Sequence, residues 1–308
     1  MNLSEEETKA IRAQMFSTPT LQRYKTFCDE KSLPVNVEDI SEEAQIGWLG
    51  SPKASKVVLY TCGGGLKDPA TPFHIPLIYN GVHPVPEGNE VAVGLIMHGL
   101  APSCRYPGQI RDFILVLNHI LKTRQANSIY LAGDSSGSAL IIAALFHLAH
   151  PHPHVPALEL PLSQAFAGGL LISPAFPLPS SAPSVDSNNG KDLYPKSSLV
   201  EMRDTVSSST EEGFKLTMSD PYFAPEQAPE AWFSNLPIGD VLFLFGGKEM
   251  LHDDLATWAV RFKRQHKSLV DIHDNPDHVH WQFIVDAMMG GDPSVQTSDI
   301  VKWLQSLY

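Results

Sequence analysis

The sequence predicts an α/β domain with a mostly parallel central sheet and helices on both faces. Three observations predict it. Short apolar, β-branched runs alternate with amphipathic stretches over most of the chain. Several runs are apolar at nearly every position, as burial on both faces of a parallel sheet requires. A Gly-x-Ser-x-Gly pattern, Gly133-Asp134-Ser135-Ser136-Gly137, lies between one such run and a helical stretch. At 308 residues the chain suits one large unit. The expected organisation is a single domain over 1–308, with cap elements at about 1–46 and 174–237.

The elements follow in order. Residues 1–46 read as helical and then loose, with Ser4 and Glu7 as a capping box. Val57-Val58-Leu59-Tyr60 is a first strand, ending in Gly63-Gly64-Gly65, and 90–97 (EVAVGLIM) a second. Over 108–124, Ile110, Phe113, Ile114, Leu117 and Leu121 recur with helical spacing. Residues 128–132 (SIYLA) form a third strand and 136–150 a helix. The runs 168–173 (GGLLIS), 241–245 (VLFLF) and 269–273 (LVDIH) supply three more strands. Helices are expected from about 253 to 265, near 281–289 and over 298–307. Residues 174–237 break the alternation, being rich in Pro and Ser before Trp232 and Phe233. So long an irregular stretch inside a compact domain reads as an inserted cap, with a disordered linker as the alternative.

Composition narrows the function. Hydrophobic residues at 43% and charged residues at 18%, without a long like-charge block, describe a globular chain. A formal net charge of −12 argues against a nucleic-acid partner, since phosphate binding needs clustered Lys and Arg. Three cysteines (Cys28, Cys62, Cys104) without a CxxC pair argue against a disulfide framework and a structural zinc site. The N-terminal MNLSEEETKAIRAQMF lacks the basic and apolar regions of a signal peptide, and no 18-residue apolar run exists. A cytoplasmic setting and no membrane span are therefore expected. A homodimer is compatible with these features, and the oligomeric state is not legible.

The Gly-x-Ser-x-Gly pattern is common by chance, and its strand–turn–helix setting is what gives it weight. A nucleophile elbow forces strained torsions on its serine, and side chains at Gly133 and Gly137 would collide with the turn. The helix starting at Ser136 aims its N-terminal N–H groups toward the reacting oxygen. Cys62-Gly63-Gly64-Gly65 follows a strand, where bare glycines let backbone N–H groups approach a substrate oxygen. Gly63, Gly64 and Ser136 are thus the expected oxyanion-hole donors. A plain or phosphate-binding glycine turn is the alternative, weakened by the lack of GxGxxG and of a P-loop lysine.

These features in order, with Arg105-Tyr106-Pro107 before a helix, resemble the hormone-sensitive-lipase-like α/β-hydrolases. The resemblance covers roughly 45–290 and looks strongest toward the fungal esterase branch related to steryl acetyl hydrolases. The stretches 240-DVLFLFGGKEMLHDDL-255 and 228-APEAWFSNLP-237 are similar to that branch. Two positions depart. The family histidine before the three glycines is Cys62, which puts the oxyanion geometry in question. The alanine after the nucleophile is Ser136, a mild change because the backbone N–H acts there.

The resemblance implies a chain order of Ser, then acid, then His. Glu249, Asp253 and Asp254 follow the VLFLF strand. The family pattern lays Glu249 on the acid position, and Glu249 also lies just past a strand end, where catalytic groups gather in open α/β sheets. Asp253 is the rival and reads better as the N-cap of the next helix. His273, His278 and His280 lie at the end of the last strand or after it. Val279-His280-Trp281 fits the family's histidine pattern, and His278, in an acidic turn, is the rival.

Ser135, Glu249 and His280 are therefore the expected catalytic residues, with Phe176, Trp232 and Phe233 as apolar substrate contacts. No cofactor is expected. The His147, His150, His152 and His154 cluster suggests a metal only weakly, because nearby carboxylates are lacking and prolines break the helical spacing. The expected activity is hydrolysis of small or medium apolar carboxylic esters, or of a secondary-metabolite intermediate, through an acyl-enzyme. Acyl transfer, cyclisation or condensation by the same triad, and a ligand-binding receptor on an inactive hydrolase fold, are the alternatives.

Overall fold

The computed structural model describes residues 5–84, 90–175, 181–212, 214–217 and 219–308. The expected Ser4 cap and the expected Phe176 contact lie outside them. Helices α1 (Glu5–Met15) and α2 (Thr20–Glu30) lead into strands β1 (Val37–Asp39), β2 (Gln45–Leu49) and β3 (Lys56–Thr61). After α3 (His74–Val82) come β4 (Val91–Met97), α4 (Gly108–Leu121), β5 (Ile129–Asp134), α5 (Ser136–Ala149) and β6 (Phe166–Ile172). Then follow α6 (Pro183–Ser187), α7 (Lys196–Ser208), β7 (Ile238–Gly246), α8 (His252–Gln265), β8 (Val270–Asn275), α9 (Gln282–Met289) and α10 (Val295–Gln305).

One eight-stranded sheet runs in the order β1-β2-β4-β3-β5-β6-β7-β8. From β4 onward every pairing is parallel, whereas β1–β2 and β2–β4 are antiparallel. Strand residues alternate between two cores, as a period of two dictates. Val57 and Leu59 of β3 join α4, α5 and α8 on one face, while Val58 and Tyr60 join α2, α3, α9 and α10 on the other.

The sheet differs from expectation at its first edge. Residues 37–49 pair in it, although the sequence places most of them in a cap. Their signal is weak locally because distant partners fix them. Tyr24 donates its hydroxyl to the Trp48 carbonyl at 2.8 Å, and the Trp48 indole donates to Glu38 at 2.8 Å. Residues 174–237 are not featureless either: α6, α7 and two short 3-10 turns organise the described part. Among the described residues, no helix is long and apolar enough to cross a membrane.

Candidate active site

Ser135 sits between β5 and α5 at φ +48°, in the left-handed region that favours glycine. Its amide donates to the Ile172 carbonyl at 2.7 Å, and its own carbonyl accepts from Ala139 and Ala175. These bonds hold the strained turn. A Cβ at Gly133 or Gly137 would overlap the Thr61 carbonyl of β3. The elbow therefore requires glycine because a neighbouring strand passes so close.

The loop after β7 carries Glu249 and the loop after β8 carries His280. They interlock: Lys248 N–H donates to the His278 carbonyl at 2.9 Å, and Gly247 N–H to that of Asn275 at 2.8 Å. His280 Nδ1 lies 2.8 Å from Glu249 Oε2, and Nε2 lies 2.9 Å from Ser135 Oγ. With Nδ1–H donating to the carboxylate, Nε2 is free to accept the serine proton. Glu249 is fully buried, and its Oε1 accepts from Ser173 Oγ and Gly246 N, each at 2.6 Å. Burial lowers the His280 pKa, but the Glu249 hydrogen bond and the charges of Glu249, Asp192 and Asp134 outweigh it, so the net shift is upward.

The rival residues lie elsewhere. Asp253 occupies the first turn of α8, where it accepts from Ser184 N–H at 2.9 Å; the N-cap position is Leu251. His278 has no bond to Ser135 or Glu249 among the described residues. His273 pairs with Asp299 at 2.8 Å and with Asp271 at 3.2 Å.

A cavity opens beside Ser135 and His280. Gly64 and Gly65 border it on one side; Tyr194, Leu199 and Met202 of the 174–237 insertion border it on another. Trp281 is buried against Tyr194, at 5.7 Å between ring centroids, and stacks on His280 at 5.6 Å. Arg12 of α1 pairs with Asp68 at 2.7 Å, which ties the N-terminal helix to the glycine loop.

Three sequence expectations need correction. Gly63 is unsuited as an oxyanion donor: its N–H is taken by Asp134 Oδ2 at 3.0 Å, and it does not line the cavity with Ser135. Gly64 and Gly65 are the glycines placed there. Trp232 and Phe233 do not line the cavity. Both pack on Phe146 of α5, at 5.5 and 5.1 Å between centroids, and Trp232 stacks on His150 at 4.1 Å. The C-terminal half of α5 is apolar on the side away from the sheet, and these aromatics cover it.

Sequence reasoning missed the support beneath the glycine loop. Asp134 Oδ1 accepts from Tyr60 at 2.7 Å, and Oδ2 lies 3.2 Å from His74 Nε2 as well as receiving Gly63 N–H. His74 Nδ1 accepts the Thr71 N–H at 3.0 Å, so Nε2 carries the proton and donates to Asp134. An imidazole thus braces the glycine loop from α3, next to the position where the family writes a histidine and this chain has Cys62. Ser136 adds a tether, since its Oγ accepts Leu66 N–H at 3.3 Å. The Asp of the Gly-x-Ser-x-Gly pattern was the one available signal.

Cys62, His74 and Asp134 are also close enough to invite a metal, with ligand atoms within 4.8 Å of one another. The His74 tautomer opposes it, because the nitrogen facing the cluster bears a proton. Burial, with the Asp134 charge, pushes the Cys62 thiol well above its ordinary range, so it stays a thiol. The His147 cluster is likewise backbone-bonded: His147 Nε2 donates to Pro156 O at 2.8 Å while Nδ1 accepts His152 N–H at 2.9 Å.

A sharp serine turn, two interlocked loops bearing a glutamate and a histidine, and a cavity over all three define a hydrolase of the α/β class. A family model described as alpha/beta hydrolase fold matches residues 87–284, and one described as steryl acetyl hydrolase matches 3–163. The chain belongs to the steryl acetyl hydrolase family within the alpha/beta hydrolase fold and is a carboxylic ester hydrolase. No curated protein matches it. Among solved structures, it is similar to a hormone-sensitive lipase from a metagenome library at TM-score 0.68 and 21% identity, over 94% of this chain and 92% of that one. A second metagenome HSL homologue, EstE7, gives 0.69 at 17% identity, over 100% and 99%. An esterase from the bacterial hormone-sensitive lipase family gives 0.66 at 22%, over 100% and 99%.

Proposed function

We propose that the protein hydrolyses small or medium apolar carboxylic esters through an acyl-enzyme on Ser135. Ser135 Oγ attacks the ester carbonyl carbon as its proton passes to His280 Nε2. The carbonyl oxygen becomes the oxyanion and faces the N–H groups of Gly64, Gly65 and Ser136. The bond to the alcohol breaks and His280 protonates the departing alkoxide. A water molecule then attacks the acyl carbon, gives its proton to His280, and releases the acid while Ser135 is re-protonated. Glu249 holds the imidazole tautomer and stabilises its charge.

The observation that carries this reading is the unbroken Glu249–His280–Ser135 chain, at 2.8 and 2.9 Å, ending on a serine held at positive φ. Apolar walls from Leu199, Met202, Leu251 and Trp281 support an apolar acyl or alcohol group, with α1 and the 174–237 insertion acting as a cap. A p-nitrophenyl ester series of increasing acyl length tests the substrate class. Turnover should be highest on short to medium chains. An absence of turnover on every member would contradict the reading.

A further inference from the structure

Three residues of the insertion, Ser184, Asn188 and Asp192, follow one another at four-residue spacing. Backbone bonds carry that spacing in space, since Asn188 N–H donates to Ser184 O at 2.9 Å and Asp192 N–H to Asn188 O at 3.2 Å. All three side chains reach the loop between β7 and α8. They grip the loop that carries Glu249 at successive points: Ser184 Oγ donates to Met250 O at 2.8 Å, and Asn188 Nδ2 donates to Gly247 O at 3.0 Å and Glu249 O at 2.9 Å. Asp192 goes further and joins two loops. Its Oδ2 accepts Met250 N–H at 2.8 Å, and its Oδ1 accepts His280 N–H at 2.9 Å. Leu193 N–H, at 2.7 Å, completes its backbone contacts.

We propose that Asp192 is a positioning residue that locks the Glu249 loop to the His280 loop, so that the insertion assembles the triad as well as covering it. The inference rests on the triad reading above. Glu249 and His280 come from different strands, and a small error in their separation misaligns both bonds to the imidazole. A single carboxylate bonded to the backbone of His280 and of the residue after Glu249 removes that freedom. Its charge also faces the imidazole. Among the described residues, Glu249, Asp192 and Asp134 are the charged groups that act on His280 most, and each favours the protonated ring. Asp192 thus aligns the base and helps stabilise the imidazolium formed as serine attacks.

The test compares Asp192→Asn, Asp192→Ala and Asn188→Ala in the full chain, with p-nitrophenyl acetate as substrate and circular dichroism as the check on folding. Asp192→Asn should lower kcat about tenfold with KM changed less than about twofold. Removing a negative charge makes the imidazolium less favourable, so the acid limb of its kcat/KM profile should move to lower pH by about half a unit. Asn188→Ala removes a neutral grip and should lower kcat without moving that limb. Folded Asp192→Asn enzyme with wild-type kcat and an unmoved limb overturns the proposal. If Asp192→Ala does not fold, the asparagine variant still decides. Fluorophosphonate labelling separates the two levels: an unlabelled Ser135 in wild type sinks the triad reading and this proposal with it. A labelled Ser135 with wild-type-like Asp192 variants sinks the proposal alone.

Discussion

Gly63 gives its backbone N–H to the Asp134 carboxylate at 3.0 Å, and so the first glycine of the loop is a strut. The same carboxylate is held by Tyr60 and His74. Asp134→Ala should leave three buried groups without their acceptor and let the loop drift. The expected result is a loss of kcat of about 10–100-fold, with slower labelling of Ser135 and a lower Tm. Steady-state kinetics with a thermal melt check it.

His280 and His278 separate cleanly by substitution. His280→Ala should lower kcat/KM by about 10³-fold or more, because among the described residues no other base bonds Ser135 Oγ. His278→Ala should stay within about threefold of wild type, since that ring bonds neither Ser135 nor Glu249. Equal losses in the two variants would reject the assignment.

The pH profile follows from the raised His280 pKa. The imidazole must be neutral to accept the serine proton, and a raised value keeps it protonated to higher pH. Activity should therefore be lost as pH falls through a midpoint above the ordinary value of about 6.5. Glu249→Gln keeps the size of the side chain and removes the charge. It should lower kcat by about 10²–10⁴-fold and move any residual acid limb downward. The kcat/KM profile from pH 5 to 9 measures both effects, and a flat wild-type profile would speak against the base.

Cavity wall and core wall should respond differently. Met202→Trp narrows the cavity beside Gly65 and should cost long-chain esters far more than acetate, with an overpacking cost of about 1–3 kcal/mol in stability. Phe233→Ala empties a fully buried site against Phe146 and Phe262. It should destabilise by about 3–5 kcal/mol with chain-length preference unchanged. The p-nitrophenyl series and denaturant melts distinguish the two.

The parallel sheet was legible because its strands are apolar runs and its helices have a clear period, signals that each segment carries alone. β1 and β2 were not, because Tyr24 and β4 hold them from a distance. The meeting of Ser135, Glu249 and His280 could be anticipated because each follows a strand end in an expected chain order. Gly63 was misread since a glycine's sequence does not say which way its N–H points. Trp232 and Phe233 were misread for a related reason: aromatics in a long loop look like a lid, while the flank of α5 that they cover exists only in the fold. His74 and Asp192 escaped notice because each acts on residues dozens of positions away. The four-residue spacing of Ser184, Asn188 and Asp192 was visible, but in a Pro- and Ser-rich stretch it carried no sign of what it would grip.

Covalent labelling with a fluorophosphonate tests the central claim most directly. The wild-type protein should take up one label, located by peptide mass analysis on Ser135, with ester turnover lost in proportion. Ser135→Ala should take up none and be inactive. A folded wild-type protein that stays unlabelled, or a Ser135→Ala variant that still turns over esters, would contradict the account.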